Sequence, residues 1–136
     1  MSKHKVFSLP VRVYFQDTDA GGVVYHASYV NFMERARTEW LRTHGYSNAG
    51  LMKELGVVFV VRSLKLDYLK PALLDDLLEV TAQIKEIGRS RLTLLQTVRR
   101  RGEERLVEGE VHLVCVDVKT FKPVSVPAIL KDQWKD

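Results

Sequence analysis

Cysteine is nearly missing from this chain: Cys115 is the only one in 136 residues. No internal disulfide can form, and its place inside an apolar, strand-like run reads as a packed, inert thiol. Long apolar runs are missing too. The longest, Val57 to Val61, falls far short of the roughly 20 residues that span a bilayer. The N-terminus, Met-Ser-Lys-His-Lys-Val-Phe, carries positive charge without the apolar stretch of a secretory signal behind it. These absences lead us to expect a soluble, cytoplasmic protein. There is no internal repeat and no low-complexity segment. Histidine is scarce, with 4 residues, and neither a helical His pair nor a Cys cluster supports a metal centre. The net charge of +4 suits an anionic partner, but the basic residues are scattered apart from Arg99-Arg100-Arg101. No helix has a basic face with interleaved aromatics, so nucleic acid is the weakest of the anionic partners.

What is present is ordinary globular material, 46% hydrophobic and 28% charged. A chain of this length buries about two-thirds of its unfolded surface and needs no staples, so one domain over residues 1–136 is expected. Val11, Val13 and Phe15 alternate with Arg12, Tyr14 and Gln16, which predicts a first strand ending at Asp17. From Tyr25 the period becomes helical: Tyr25, Tyr29, Phe32, Met33, Ala36 and Trp40 share a stripe, with Glu34, Arg35, Thr38 and Arg42 opposite. Ser28 reads as the N-cap and Gly45 as the left-handed stop. A short helical piece is expected over Asn48 to Leu55. Strands follow over Val57 to Leu69, Leu78 to Ile84, Leu92 to Val98 and Leu106 to Val118, and a brief helix opens at Pro127. Short turns between the four later strands predict an antiparallel meander wrapped around the long helix, an α+β arrangement. Its edge strands need cover, which a second copy of the chain supplies most simply.

The chemistry concentrates in Tyr14-Phe-Gln-Asp-Thr-Asp-Ala-Gly-Gly-Val-Val-Tyr-His26, the turn between that strand and helix. Asp17 reads as a turn carboxylate that accepts backbone N–H groups. Asp19 differs, because Gly21 and Gly22 leave the backbone bare enough for a ligand to approach. The helix that follows presents unpaired N–H groups and the positive end of its dipole, a place where a carbonyl would be polarised. A carboxylate beside such donors suits attack on an acyl group, as nucleophile or as base for water. His26 offers its ring or its backbone N–H, while Tyr14 and Tyr25 read as packed rings with satisfied hydroxyls. Calcium is excluded, because the fifth and twelfth loop positions from Asp17 hold Gly21 and Ser28. Asp-x-Asp phosphatase chemistry belongs to parallel α/β chains, and this order of elements does not match.

The run Asp17-Thr-Asp-Ala-Gly-Gly-Val-Val-Tyr-His-Ala-Ser-Tyr, continuing into Phe32-Met-Glu-Arg-Ala-Arg, resembles the signature of the hot-dog-fold acyl-CoA thioesterases of the 4-hydroxybenzoyl-CoA thioesterase class. It is most similar to the YbgC branch, thioesterases associated with the Tol-Pal system. The Phe-Val-Val-Arg start of the long strand and the Val-Cys-Val-Asp end of the last extend the resemblance over almost the whole chain. It implies a hot-dog fold, a long central helix wrapped by a curved five-stranded antiparallel sheet. It also implies Asp19 as catalytic carboxylate, the backbone N–H at His26 as carbonyl polariser, and Gly22 and Tyr25 at the substrate. No cofactor or metal is implied. The implied partners are an acyl-CoA substrate, with acyl carrier protein as an alternative acyl donor, and identical subunits in a homotetramer built as a dimer of dimers. Peripheral contact with the inner membrane is an alternative to a free cytoplasmic location. Arg62, Arg89 and Arg91 are candidates for the coenzyme A phosphates. A second thioesterase branch uses a helix glutamate, and Glu34, on the face opposite the stripe, is expected to point away from its own sheet. The competing functions are a hot-dog enoyl-thioester hydratase or dehydratase, and a non-enzymatic acyl-binding protein of the cell envelope.

Overall fold

The aromatic stripe forms the spine of the computed structural model, which describes residues 4–102 and 104–135. Met1 to Lys3 of the N-terminal segment and Glu103, beside the Gly102 turn, lie outside the described residues. In chain order come β1 (Phe7–Arg12), a 3₁₀ turn (Phe15–Asp17), α1 (His26–Thr43), a short helical segment α2 (Asn48–Gly50) and a π turn (Leu51–Leu55). The chain continues through β2 (Val57–Tyr68), β3 (Leu77–Ile87), β4 (Arg91–Arg100), β5 (Arg105–Asp117) and α3 (Ala128–Gln133). Tyr29, Phe32, Met33, Ala36 and Trp40 are all buried, as their spacing requires. Burying Phe32 and Met33 completely is worth about 1.5–3 kcal/mol each.

All strand pairs are antiparallel, in the order β1-β3-β4-β5-β2, and the sheet curves around α1. The first half of α1 packs with Val11, Leu78, Val80, Val98 and Val107. Its second half packs with Ile84, Leu92, Leu94, Leu113 and α3, where Trp134 meets Trp40 at 5.2 Å between ring centres. Two features let α1 lie close. A Cβ on Gly109 of β5 would stand 2.7 Å from Leu66 Cδ2 and 3.2 Å from Met33 Cε, so a larger residue there would require the ends of those side chains to shift. Gln96 of β4, buried among apolar neighbours, donates to the carbonyls of Met33 and Thr81 and accepts from Arg37, which satisfies its amide.

The structure corrects the sequence reading in three places. The first strand lies earlier than the Val11 to Phe15 alternation indicates: it covers Phe7–Arg12, and Phe15 is 81% exposed. Pro10 disguises this strand, yet it is tolerated because β1 is an edge strand that pairs only with β3. Ser28 is not the N-cap; Tyr25 is, and Ser28 sits inside the first turn. The meander runs through β3, β4 and β5 only. β2 pairs with β5 on the far edge, and residues 69–76 therefore cross the end of the sheet to reach β3.

Candidate active site

Past β1 the chain folds back on Asp17. Its Oδ2 accepts the Tyr14 N–H at 2.8 Å, and the residue is only 8% exposed. Its carbonyl accepts the Tyr25 N–H at 2.8 Å and the Ser28 hydroxyl at 3.2 Å. Asp17 thus ties the start of the loop to the start of α1, the structural role its position suggests.

Residues 18–24 form a small hairpin closed by a Thr18–Val24 bridge, with Asp19 on its rising side. The Asp19 N–H donates to the Val23 carbonyl at 3.0 Å, and the Gly22 N–H to the Asp19 carbonyl at 3.1 Å. Gly22 stands at φ +78°, a left-handed conformation in which a Cβ is strained. The Gly21 N–H donates to Asp19 Oδ1 at 2.9 Å. Among the described residues Asp19 Oδ2 has no hydrogen-bond partner, and Asp19 is exposed.

The hairpin leads straight into α1, whose N-terminus is left open. Tyr25 at the N-cap makes no side-chain capping bond, whereas Ser, Thr, Asp or Asn would consume a donor. The His26 N–H has no acceptor earlier in its own helix. The His26 carbonyl accepts from the Tyr68 hydroxyl at 3.1 Å, and its exposed ring leans on Tyr25 with centres 4.4 Å apart. Asp19, Gly22, Tyr25 and His26 therefore share one hairpin and helix start, but no hydrogen bond links the Asp19 and His26 side chains.

The second wall of the site is the crossing at residues 69–76, which the sequence reading missed. The Val24 N–H donates to the Ala72 carbonyl at 2.9 Å, and the Leu74 N–H to the Gly22 carbonyl at 3.1 Å. The Ala72 N–H donates in turn to the Tyr29 hydroxyl at 2.9 Å. Burial holds that hydroxyl above the usual tyrosine range, so it stays neutral and available. A signal was present: eight residues from Leu69 to Asp76 are more than a tight hairpin needs.

Other candidates fall elsewhere. Tyr14 and Tyr25 are 61% and 48% exposed, so neither is packed within one chain as expected. Glu34 is exposed but does not point clear of the sheet: it lines an open cleft of about 390 Å³ with Thr38, Trp40, Phe59, Val61 and Trp134, between α1 and β2. Arg62 and Arg91 line a hollow on β2, β4 and β5 with Ser63 and His112, while Arg89 precedes β4. Cys115 is fully buried, and burial pushes its thiol up to about 11. Among the described residues, no three or more of His, Cys, Asp and Glu converge as metal ligands, and no helix is long and apolar enough to cross a membrane.

Residues 13–134 match the family model of the thioesterase-like superfamily. The chain is 48% identical over 130 residues to the acyl-CoA thioester hydrolase YbgC of Escherichia coli O6:H1, covering 96% of both chains. It is 46% identical over 125 residues to the acyl-CoA thioesterase YbgC of Haemophilus influenzae, covering 92% of this chain and 91% of that one. The crystal structure of a probable thioesterase from Bartonella henselae superposes with a TM-score of 0.86 at 34% identity, over 90% of this chain and 100% of that one.

Proposed function

The chain belongs to the thioesterase-like superfamily and is an acyl-CoA thioester hydrolase, and from that premise we propose that Asp19 supplies the reacting carboxylate while the open start of α1 polarises the thioester carbonyl. The observation that carries this assignment is the contrast between the two aspartates. Asp17 spends its carboxylate on Tyr14 and its carbonyl on Tyr25 and Ser28, whereas Asp19 keeps one oxygen unengaged beside an uncapped 18-residue helix.

In this reading the thioester oxygen accepts the His26 N–H, whose bond strengthens as negative charge gathers on that oxygen; one such donor is worth about 3 kcal/mol in the transition state. The Asp19 carboxylate either takes a proton from water as the new C–O bond forms, or attacks the carbonyl carbon itself. In both routes the C–S bond breaks, and the sulfur leaves with its electron pair and is protonated. With Asp19 as base the water oxygen enters the free acid; with Asp19 as nucleophile an acyl-aspartyl anhydride forms, and water that opens it at the Asp19 carboxyl carbon leaves an Asp19 oxygen in the acid. An unlabelled first product from single turnover in H₂¹⁸O therefore identifies attack by Asp19 itself. Gly22 and Tyr25 flank the path of the substrate, and the His26 ring is secondary to its N–H.

The same reading includes a second copy of the chain. β2 is a twelve-residue edge strand with Val61 48% exposed, a liability that pairing with another β2 removes. Antiparallel pairing across a twofold axis sets the Tyr68 end of one β2 beside the Val57 end of the other. The loop and helix start of one protomer then face the cleft between α1 and β2 of its partner, where we place the acyl chain. A dimer of such dimers, a cytoplasmic location with peripheral contact at the inner membrane, acyl carrier protein as an alternative acyl donor, and coenzyme A phosphates at Arg62 and Arg91 complete the proposal.

A thiol-release screen from acetyl- to palmitoyl-CoA, with aromatic CoA esters, tests it. Free thiol is expected without added metal or cofactor. Hydration of crotonyl-CoA with no thiol release would favour the hydratase, and saturable binding with neither reaction would favour the acyl-binding protein.

A further inference from the structure

The crossing that walls the Asp19 hairpin is itself held from the sheet by one side chain. Arg100, the last residue of β4, uses every arm of its guanidinium. Nε donates to Asp76 Oδ2 at 3.1 Å, Nη2 to the Pro71 carbonyl at 3.1 Å, and Nη1 to Glu104 Oε1 at 2.9 Å. The side chain is only 24% exposed. Asp76 Oδ2 also accepts the Leu73 N–H at 2.9 Å, so both ends of residues 71–76 are pinned to one planar fork.

The pinned segment holds the site through backbone bonds and one bond to the Tyr29 hydroxyl. Ala72 accepts from Val24 and donates to Tyr29 of α1, while Leu74 donates to Gly22. Asp75 and Asp76 bond Val13 on the other side of the loop, through the Asp75 N–H to the Val13 carbonyl at 3.1 Å and the Val13 N–H to the Asp76 carbonyl at 2.9 Å. An exposed ion pair would be worth little. This fork instead engages a neutral carbonyl and a carboxylate at the same time, which fixes where the segment sits rather than merely attracting it.

We propose that Arg100 is a positioning residue for the hydrolysis: through Pro71 and Asp76 it places residues 71–76, and these place Gly22 and Val24, hence Asp19, against the start of α1. The proposal rests on the thioesterase reading above. Its leverage comes from geometry, since a displacement of about 1 Å at a reacting group costs on the order of a hundredfold in rate.

The test uses the full chain with Arg100→Met, which keeps the stem and removes the fork, and Arg100→Lys, which reaches Asp76 without Pro71. With the saturated acyl-CoA that the screen finds fastest, Arg100→Met is expected to lower kcat tenfold or more while KM stays within threefold and the oligomer is retained. Arg100→Lys should recover part of the loss. Unchanged kcat per folded molecule, with only the melting temperature lowered, would make Arg100 a staple and overturn the proposal. If Arg100→Met does not fold, Arg100→Lys and Asp76→Asn carry the same expectation to a lesser degree, and parent-like kcat in both would overturn it. Amide hydrogen exchange supplies a readout that needs no activity. Residues 19–25 should exchange at least tenfold faster in the variant while the interior of α1 does not, and equal exchange there would overturn the proposal. A parent protein that releases no thiol from any acyl-CoA contradicts the thioesterase reading and leaves the exchange result to decide the role of Arg100.

Discussion

The Gly21 N–H donates to Oδ1 of Asp19 at 2.9 Å, and that bond divides the carboxylate into a held oxygen and an open one. Held at Oδ1, the group keeps one orientation on a hairpin of only seven residues, 18–24. Open at Oδ2, it is free to meet water or an acyl carbon. Two aspartates two residues apart are thereby bound differently.

Asp17→Ala tests the first half of that division. Removing the partly buried acceptor of the Tyr14 N–H should lower stability by about 1 kcal/mol, read from the urea midpoint. No change in the midpoint would show that the turn does not depend on the carboxylate.

Glycine replacements probe the hairpin itself. Gly22→Ala forces a Cβ into a φ of +78° and should cost about 1–2 kcal/mol. Gly21→Ala brings its Cβ only to 3.4 Å from Asp19 Oδ1 and should cost less. The reverse order of melting temperatures would contradict the hairpin described.

Glu34→Gln separates the loop carboxylate from the helix carboxylate. Glu34 lines the cleft between α1 and β2, where it can touch an acyl chain, but Asp19 carries the chemistry in this account. Turnover within threefold of the parent is expected in a thiol-release assay. Loss of a hundredfold would move the chemistry to the helix.

Cys115 should be silent to a thiol reagent at pH 8 in the native protein and react fully in denaturant, because burial keeps it protonated and out of reach. Rapid native labelling would show that β5 opens. A silent Cys115 also means that the colour from released coenzyme A in the same assay belongs to the substrate.

Much of this molecule is legible in its sequence because local pattern and tertiary role agree. Tyr29, Phe32, Met33, Ala36 and Trp40 mark one helical face, and that face is the one the sheet covers. The alternations over Leu78 to Ile84 and Leu92 to Val98 put the expected residues inside, down to Gln96, whose inward place the period gives although its polarity argues otherwise; Thr93 is buried as well. The hydrogen bonding of Asp17 and Asp19 also differs along lines visible in the sequence: Asp17 is buried and accepts the Tyr14 N–H, while Asp19 is exposed and its carboxylate accepts the Gly21 N–H.

What escapes is hydrogen bonding and strand order, which periodicity does not report. Val11, Val13 and Phe15 alternate, but Asp17 captures the Tyr14 N–H and turns the chain before Phe15 can pair. Tyr25 stands where the helical stripe begins, yet it is the N-cap and stays half exposed. Nothing near β2 says that it lies on the far edge, because strand order depends on where residues 69–76 travel. Ala72, Tyr29 and Arg100 acquire their roles only from that crossing.

The most direct test of the account is turnover by Asp19→Asn, measured as thiol release beside its melting temperature and oligomeric state. Asparagine keeps an oxygen for the Gly21 N–H but can neither take a proton from water nor attack as a carboxylate. The account predicts an intact fold and a loss of about 10²–10⁴-fold in kcat. A folded Asp19→Asn protein that hydrolyses acyl-CoA at a rate near the parent's would contradict it.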